Sequence, residues 1–110
     1  MGWKLWLDDQ CRDPEAPHRL TPEGYVGFSS AAGALGYIAE EGLPALMDLD
    51  HDLGFNNPTG MDFLKVLAER FPDKVPIWNV HSANPVGKAN MESFLRSWTN
   101  SLLLFGDVSK

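Results

Sequence analysis

Short apolar runs alternate along the chain with longer segments whose apolar residues recur at helical spacing. Trp3-Lys4-Leu5-Trp6-Leu7 is apolar with one interruption and reads as a first strand, ending at Asp8-Asp9. Residues 10–23 hold Pro14, Pro17 and Pro22 and no helical period, so they read as a long loop, a length that in compact domains usually serves function. Tyr25-Val26-Gly27-Phe28 reads as a second strand. Ser29 or Ser30 can cap a helix over Ala31, Ala34, Leu35, Ile38 and Ala39, with Gly42 as its stop. Residues 45–50 form a third strand, followed by the polar turn Gly54-Phe55-Asn56-Asn57-Pro58. Thr59 with Asp62 predicts a capping box, and Met61, Leu64, Leu67, Ala68 and Phe71 supply the buried stripe of the helix behind it. Residues 75–80 predict a fourth strand ending at His81-Ser82. Asn84-Pro85 then reads as an N-cap with proline at the first helical position, ahead of an amphipathic helix burying Met91, Phe94, Leu95, Trp98 and Leu102. Residues 102–105 either extend that helix or form a short fifth strand.

This alternation predicts an α/β domain: a parallel sheet of four or five strands, in three layers, with helices on both faces. The helix that would follow the first strand is replaced by the proline-rich loop. At 110 residues the chain is expected to be a single domain, residues 1–110. Ligands of such sheets bind beyond the carboxyl ends of the strands, at the switch in strand order. The polar clusters Asp8-Asp9, Asp50-His51-Asp52 and His81-Ser82 each stand at such an end. With the order 2-1-3-4 all three face one crevice.

The charge pattern sharpens this picture. Fifteen Asp and Glu against nine Lys and Arg leave a formal charge of −6, which argues against a broad grip on a phosphate backbone. A small nucleotide or an RNA end held through a metal remains compatible. One cysteine, Cys11, allows no internal disulfide and fits a reducing, cytoplasmic setting. No apolar h-region follows the N-terminus and no segment has membrane-spanning length, so neither a signal peptide nor a membrane anchor is expected.

Asp48-Leu49-Asp50-His51-Asp52 packs three carboxylates and an imidazole into five residues, a crowding of like charge that calls for a cation or shared protons. Asp8 and Asp9 are adjacent and cannot both point the same way from a regular strand; they are either a solvated turn or a metal site, one direct and one through water. Asp50 is a metal ligand or a nucleophile. An unperturbed imidazole titrates near neutrality, which suits His51 and His81 to proton transfer to a ribose oxygen, or else each bonds a loop carbonyl. Asp52 is a second metal ligand, an orienter of a histidine or a solvated turn residue. Ser82 either binds a phosphate oxygen or starts the turn, and Asn84 can bind phosphate while capping the last helix. Arg12, in the loop, can fork onto phosphate. Asp48 has no assigned role. His51-Asp52 lacks the further helical histidines of HD-type phosphohydrolases, and a single cysteine disfavours zinc.

These motifs resemble a receiver domain of the response-regulator type, with the acidic pair at the first strand, Asp50 at the phosphoacceptor position, Gly60 before the following helix and Ser82 ending the fourth strand. They are more similar to the cyclic-phosphate-processing receiver-like domain of bacteria and their phages. That family's motifs appear here as Leu7-Asp8-Asp9 with Arg12, Leu49-Asp50-His51-Asp52-Leu53 and His81-Ser82-Ala83-Asn84. The lysine that receivers carry after a fifth strand is missing, so phosphorelay is disfavoured. The resemblance implies a flavodoxin-like fold and a metal-assisted phosphoesterase acting on a cyclic phosphate, such as the 2′,3′-cyclic phosphate of a nucleotide or RNA end. Asp8, Asp9, Asp50 and Asp52 would hold Mg²⁺ or Mn²⁺, Asp50, His81 and His51 would be catalytic, and Ser82, Asn84 and Arg12 would hold substrate. The alternative is a non-enzymatic receiver-like module that binds or inhibits a nucleotide or protein partner.

Overall fold

The computed structural model describes residues 2–108, with side chains up to residue 102. Four strands, β1 (Lys4–Leu7), β2 (Val26–Phe28), β3 (Leu46–Leu49) and β4 (Ile77–Val80), form one all-parallel sheet in the order β2-β1-β3-β4. Helix α1 (Ala31–Glu41) links β2 to β3, α2 (Gly60–Arg70) links β3 to β4, and α3 (Pro85–Val108) follows β4. Residues 102–105 continue α3, so the alternative of a fifth strand is corrected: the sheet stops at β4.

Local chemistry accounts for each helix start. The Ser30 side chain accepts from the Gly33 N–H at 3.1 Å at the head of α1. Thr59 and Asp62 form the expected reciprocal capping box at the head of α2. The Asn84 side chain accepts from the Gly87 N–H at 3.0 Å, one residue before Pro85 opens α3. α2 also comes unusually close to the sheet. A Cβ added at Gly60 would stand 2.0 Å from the Asp50 carbonyl oxygen, so only glycine lets α2 begin there.

The core occupies one face of the sheet. Side-chain alternation and the pairings Leu5↔Met47, Leu7↔Leu49, Met47↔Trp78 and Leu49↔Val80 put these residues on the same side. Leu5, Leu7, Met47, Leu49 and Val80 join a single buried cluster with Ala34 and Ile38 of α1, Phe63, Leu64 and Leu67 of α2, and Met91 and Leu95 of α3. All three helices therefore lie on this face, and the expectation of helices on both faces is corrected. The reason is topological. The crossovers β2→β3 and β3→β4 run the same way across the sheet, and right-handed crossovers then place their helices on the same side. The helix that would cover the other face is the one the proline-rich loop replaces.

That second face carries Trp6, Asp48 and Asn79 side by side in register. Its only described cover is the loop between β1 and β2, whose Arg19 carbonyl accepts from Trp6 Nε1 at 3.0 Å while Tyr25 packs edge-on against the indole. Trp6 is buried by this cover, whereas Ile77 and Asn79 at the sheet edge stay exposed. Where a helix would have sealed the sheet, polar groups instead reach the carboxyl edge from a face that the loop covers only in part.

Candidate active site

The carboxyl edge gathers the three predicted clusters. Asp8 follows β1, Asp50 follows β3, and both carboxylates are almost fully buried. The side chain of Asp9 is about one-third exposed, so the adjacent pair splits into an inward and an outward member. One oxygen from each of Asp8, Asp9 and Asp50 lies within 4.8 Å of the others.

Arg19 sits among them. A short 3₁₀ turn, Pro17–Arg19, begins at proline and returns the loop so that the guanidinium reaches the acids. Its Nε donates to Asp8 Oδ2 at 2.9 Å, its Nη2 donates to Asp50 Oδ2 and lies 3.6 Å from Asp9 Oδ1, and its Nη1 donates to Gln10 Oε1 at 2.8 Å. Of the five guanidinium N–H groups three donate to protein acceptors, which leaves one on Nη1 and one on Nη2 without a hydrogen bond, the latter beside Asp9. Burial works against its charge, but the hydrogen bond to Asp8 and the charges of Asp50, Asp8 and Asp9 outweigh that and hold Arg19 more firmly protonated. Arg12, the arginine the motif points to, is exposed and makes no side-chain hydrogen bond or ion pair among the described residues.

His81 forms the second half of the cluster. Its Nε2 lies 2.9 Å from Asp8 Oδ2 and its Nδ1 2.6 Å from Asp48 Oδ1. Carboxylates accept and do not donate, so the imidazolium, with hydrogen on both nitrogens, satisfies both contacts at once. Burial disfavours that charge, yet the hydrogen bonds to Asp48 and Asp8 prevail and raise the His81 pKa above its ordinary value. Trp6 stacks flat on the ring, with centroids 4.0 Å apart and planes 4° from parallel. Asp48 is itself fixed by Asn79 Nδ2, which donates to both its oxygens at 3.2 Å. Asp48 thus acquires a place: it orients His81.

Burial also raises the pKa of Asp50, against the lowering charge of Arg19, and raises that of Asp9 in the same way. The second Asp50 oxygen, Oδ1, accepts from the His51 backbone N–H at 2.9 Å.

The remaining predicted residues form a neighbouring group. His51 Nδ1 meets Asp52 Oδ1 at 2.8 Å, and the imidazole packs over Gly87 of α3 so closely that a Cβ there would stand 2.5 Å from the ring. The hydrogen bond from His51 lowers the pKa of the exposed Asp52. Ser82 Oγ accepts from the Asn84 N–H at 3.0 Å, and Asn84 Nδ2 lies 3.4 Å from Asp52 Oδ2. Ser82 and Asn84 therefore perform the turn and capping jobs. His51 lines neither of the two depressions that open on Arg19. One, about 480 Å³, is walled by Asp9, Asp50, Asp52 and Phe55, and the smaller one by His18, His81 and Ser82.

Arg19 and the use of Asp48 were not foreseen. Both depend on contacts distant in sequence, although the alternation that puts Asp48, Asn79 and His81 on one face was a readable hint. For a metal ion the donors fit. Three hard carboxylate oxygens converge, and Arg19 together with the His81 imidazolium, which Asp8 shares with Asp48, leaves carboxylates in excess.

A parallel sheet ordered 2-1-3-4, an acidic pair behind its first strand and a buried aspartate behind the third define a receiver-like α/β domain. The model of the cyclic-phosphate processing Receiver domain family matches residues 3–97, and the chain belongs to that family. No curated protein and no solved structure matches the chain. No helix among the described residues is long and apolar enough to cross a membrane.

Proposed function

We propose that the protein is a phosphoesterase that opens a cyclic phosphate by hydrolysis, with Asp50 and His81 as its reacting groups. The observation that carries this reading is the doubly hydrogen-bonded His81, held as an imidazolium beside the Asp8–Asp9–Asp50 carboxylates. Asp8, Asp9 and Asp50 would hold a divalent ion such as Mg²⁺ or Mn²⁺, which when bound would neutralise charge on the phosphoryl group. The residues themselves account for the proton traffic. Water attacks phosphorus, a P–O bond to that water forms and one ring P–O bond breaks. Asp50 takes the proton from water, and His81 gives its Nε2 proton to the departing ribose oxygen. Arg19 lines both depressions and Ser82 the smaller one, and each has an N–H or O–H without a protein acceptor that can donate to phosphoryl oxygens. His51 and Asp52 pin the loop behind Asp50 to α3, which makes them positioning residues in this scheme.

A receiver that accepts a phosphoryl group is disfavoured, because Arg19 is the one cation that pairs with Asp50 among the described residues. The same observation favours a second reading, a non-enzymatic module that binds a nucleotide or protein and needs no ion, since Arg19 already sits among the acids. Ring opening of a panel of 2′,3′- and 3′,5′-cyclic nucleotides with added Mg²⁺ or Mn²⁺ separates the two. Turnover by the wild type that is lost in Asp50→Asn and His81→Gln supports the esterase. No turnover of any substrate, or equal turnover in all three proteins, refutes it.

A further inference from the structure

Phe55 is the most exposed large apolar side chain among the described residues, at 92%. It stands at the rim of the same depression that holds Asp9, Arg19, Asp50 and Asp52. The segment that presents it is built, not loose. Leu53, immediately before, is buried in the core, and its carbonyl accepts from Asn57 Nδ2 at 3.1 Å. The Asn57 N–H donates to the Gly54 carbonyl at 3.2 Å, closing a four-residue turn. Gly54 and Asn56 both take positive φ, 106° and 64°, and Asn56 occupies the third turn position, where such a φ is characteristic of type II turns. The turn therefore holds Phe55 at its second position, outward and beside the charged floor.

We infer that Phe55 is a specificity-determining residue, an aromatic platform that stacks on the nucleobase of a ligand whose phosphate lies at the Arg19 end. The depression has a floor where Arg19 stands among Asp9, Asp50 and Asp52, which would take a phosphate with a divalent ion bound, an aromatic rim for a flat π-face, and about 480 Å³ of space, within the range of small-molecule sites. A phosphorylated sugar alone would use the floor and leave the rim idle. Stacking on one exposed ring tolerates any base, so purines and pyrimidines should both bind, purines more tightly. The inference rests on the proposed phosphoester site but concerns binding, so its test does not require turnover.

Adenosine 3′-monophosphate and 1-O-methylribose 3-phosphate, which share the phosphate and sugar and contain no ring ester, are titrated calorimetrically into wild type, Phe55→Ala and Phe55→Trp with Mg²⁺ present. Wild type should prefer the nucleotide by about fivefold to 150-fold, the range that stacking of one base provides. Phe55→Ala should bring that preference close to one, and Phe55→Trp should keep or increase it. A preference that survives in Phe55→Ala, no preference in wild type, or no binding of either compound overturns the inference. Because Phe55 contacts no core residue, loss of fold does not confuse the result, and circular dichroism of the variants checks this. Turnover of cyclic substrates is measured in parallel. A collapsed preference without turnover spares this inference and sinks the esterase, and turnover with an unaltered preference does the reverse.

Discussion

Replacing Arg19 by Gln removes the one cation among the described residues that reaches all three of Asp8, Asp9 and Asp50, leaving His81 on Asp8 alone, while keeping a side chain of similar length and polarity. Two of the three acids are almost wholly buried, and in the variant Asp50 and Asp9 lose their paired cation while Asp8 keeps His81. Breaking a buried ion pair from one side costs about 3–5 kcal/mol. Arg19 is 23% exposed and Asp9 33%, so water reaches part of the cluster and the cost falls to about 2 kcal/mol. For a domain of this size that lowers the melting temperature by roughly 8 °C. The same vacancy should favour a divalent ion, because the carboxylate oxygens no longer face a competing guanidinium. Bound ion stabilises by RT ln(1 + [L]/Kd), about 2.7 kcal/mol at one hundred times Kd, enough to offset the loss. Thermal unfolding followed by fluorescence, with EDTA and with rising Mg²⁺, is the assay. Arg19→Gln should melt lower in EDTA and gain more than wild type from Mg²⁺. Equal melting in EDTA, or the same Mg²⁺ shift in both proteins, refutes the view that Arg19 and the ion share one set of acids.

Arg12→Ala, at an exposed residue without a described side-chain partner, should change stability by less than about 0.5 kcal/mol, and a loss matching that of Arg19→Gln would contradict the placement of the two arginines. Gly60→Ala drives a Cβ against the Asp50 carbonyl and should cost about 3 kcal/mol in denaturant unfolding, with an unchanged midpoint showing that α2 need not approach so closely. His81 has a raised folded pKa, so its contribution to stability is fully present below the unfolded value near pH 6.5 and lost as pH rises through the folded value. In metal-free buffer, Asp48→Asn should therefore lower the His81 midpoint seen by NMR and flatten this part of the pH profile, and an unmoved midpoint would remove Asp48 from its orienting role.

Most of the fold was legible because its determinants are local. Ser30, Thr59 with Asp62, and Asn84-Pro85 announce their helices within a few residues, and the polar groups closing each apolar run mark the carboxyl edge. The one-sided helix layer was less visible, because it follows from crossover direction and not from any one segment. Asp8, Asp9, Asp50 and His81 do meet, as expected from strand order. Arg19 escaped because periodicity says nothing about how a proline-rich loop folds back, and Arg12 stood nearer the motif. Asp48 was unexplained until its register opposite Asn79, two residues before His81, set its partners.

The most direct measurement is ³¹P NMR of a nucleoside 2′,3′-cyclic phosphate incubated with the protein and Mg²⁺. The cyclic phosphorus signal should give way to a monoester signal with wild type and persist with His81→Gln. A cyclic signal that persists with wild type across the divalent ions, or that decays equally fast with His81→Gln, would contradict the assignment of this crevice as an esterase site.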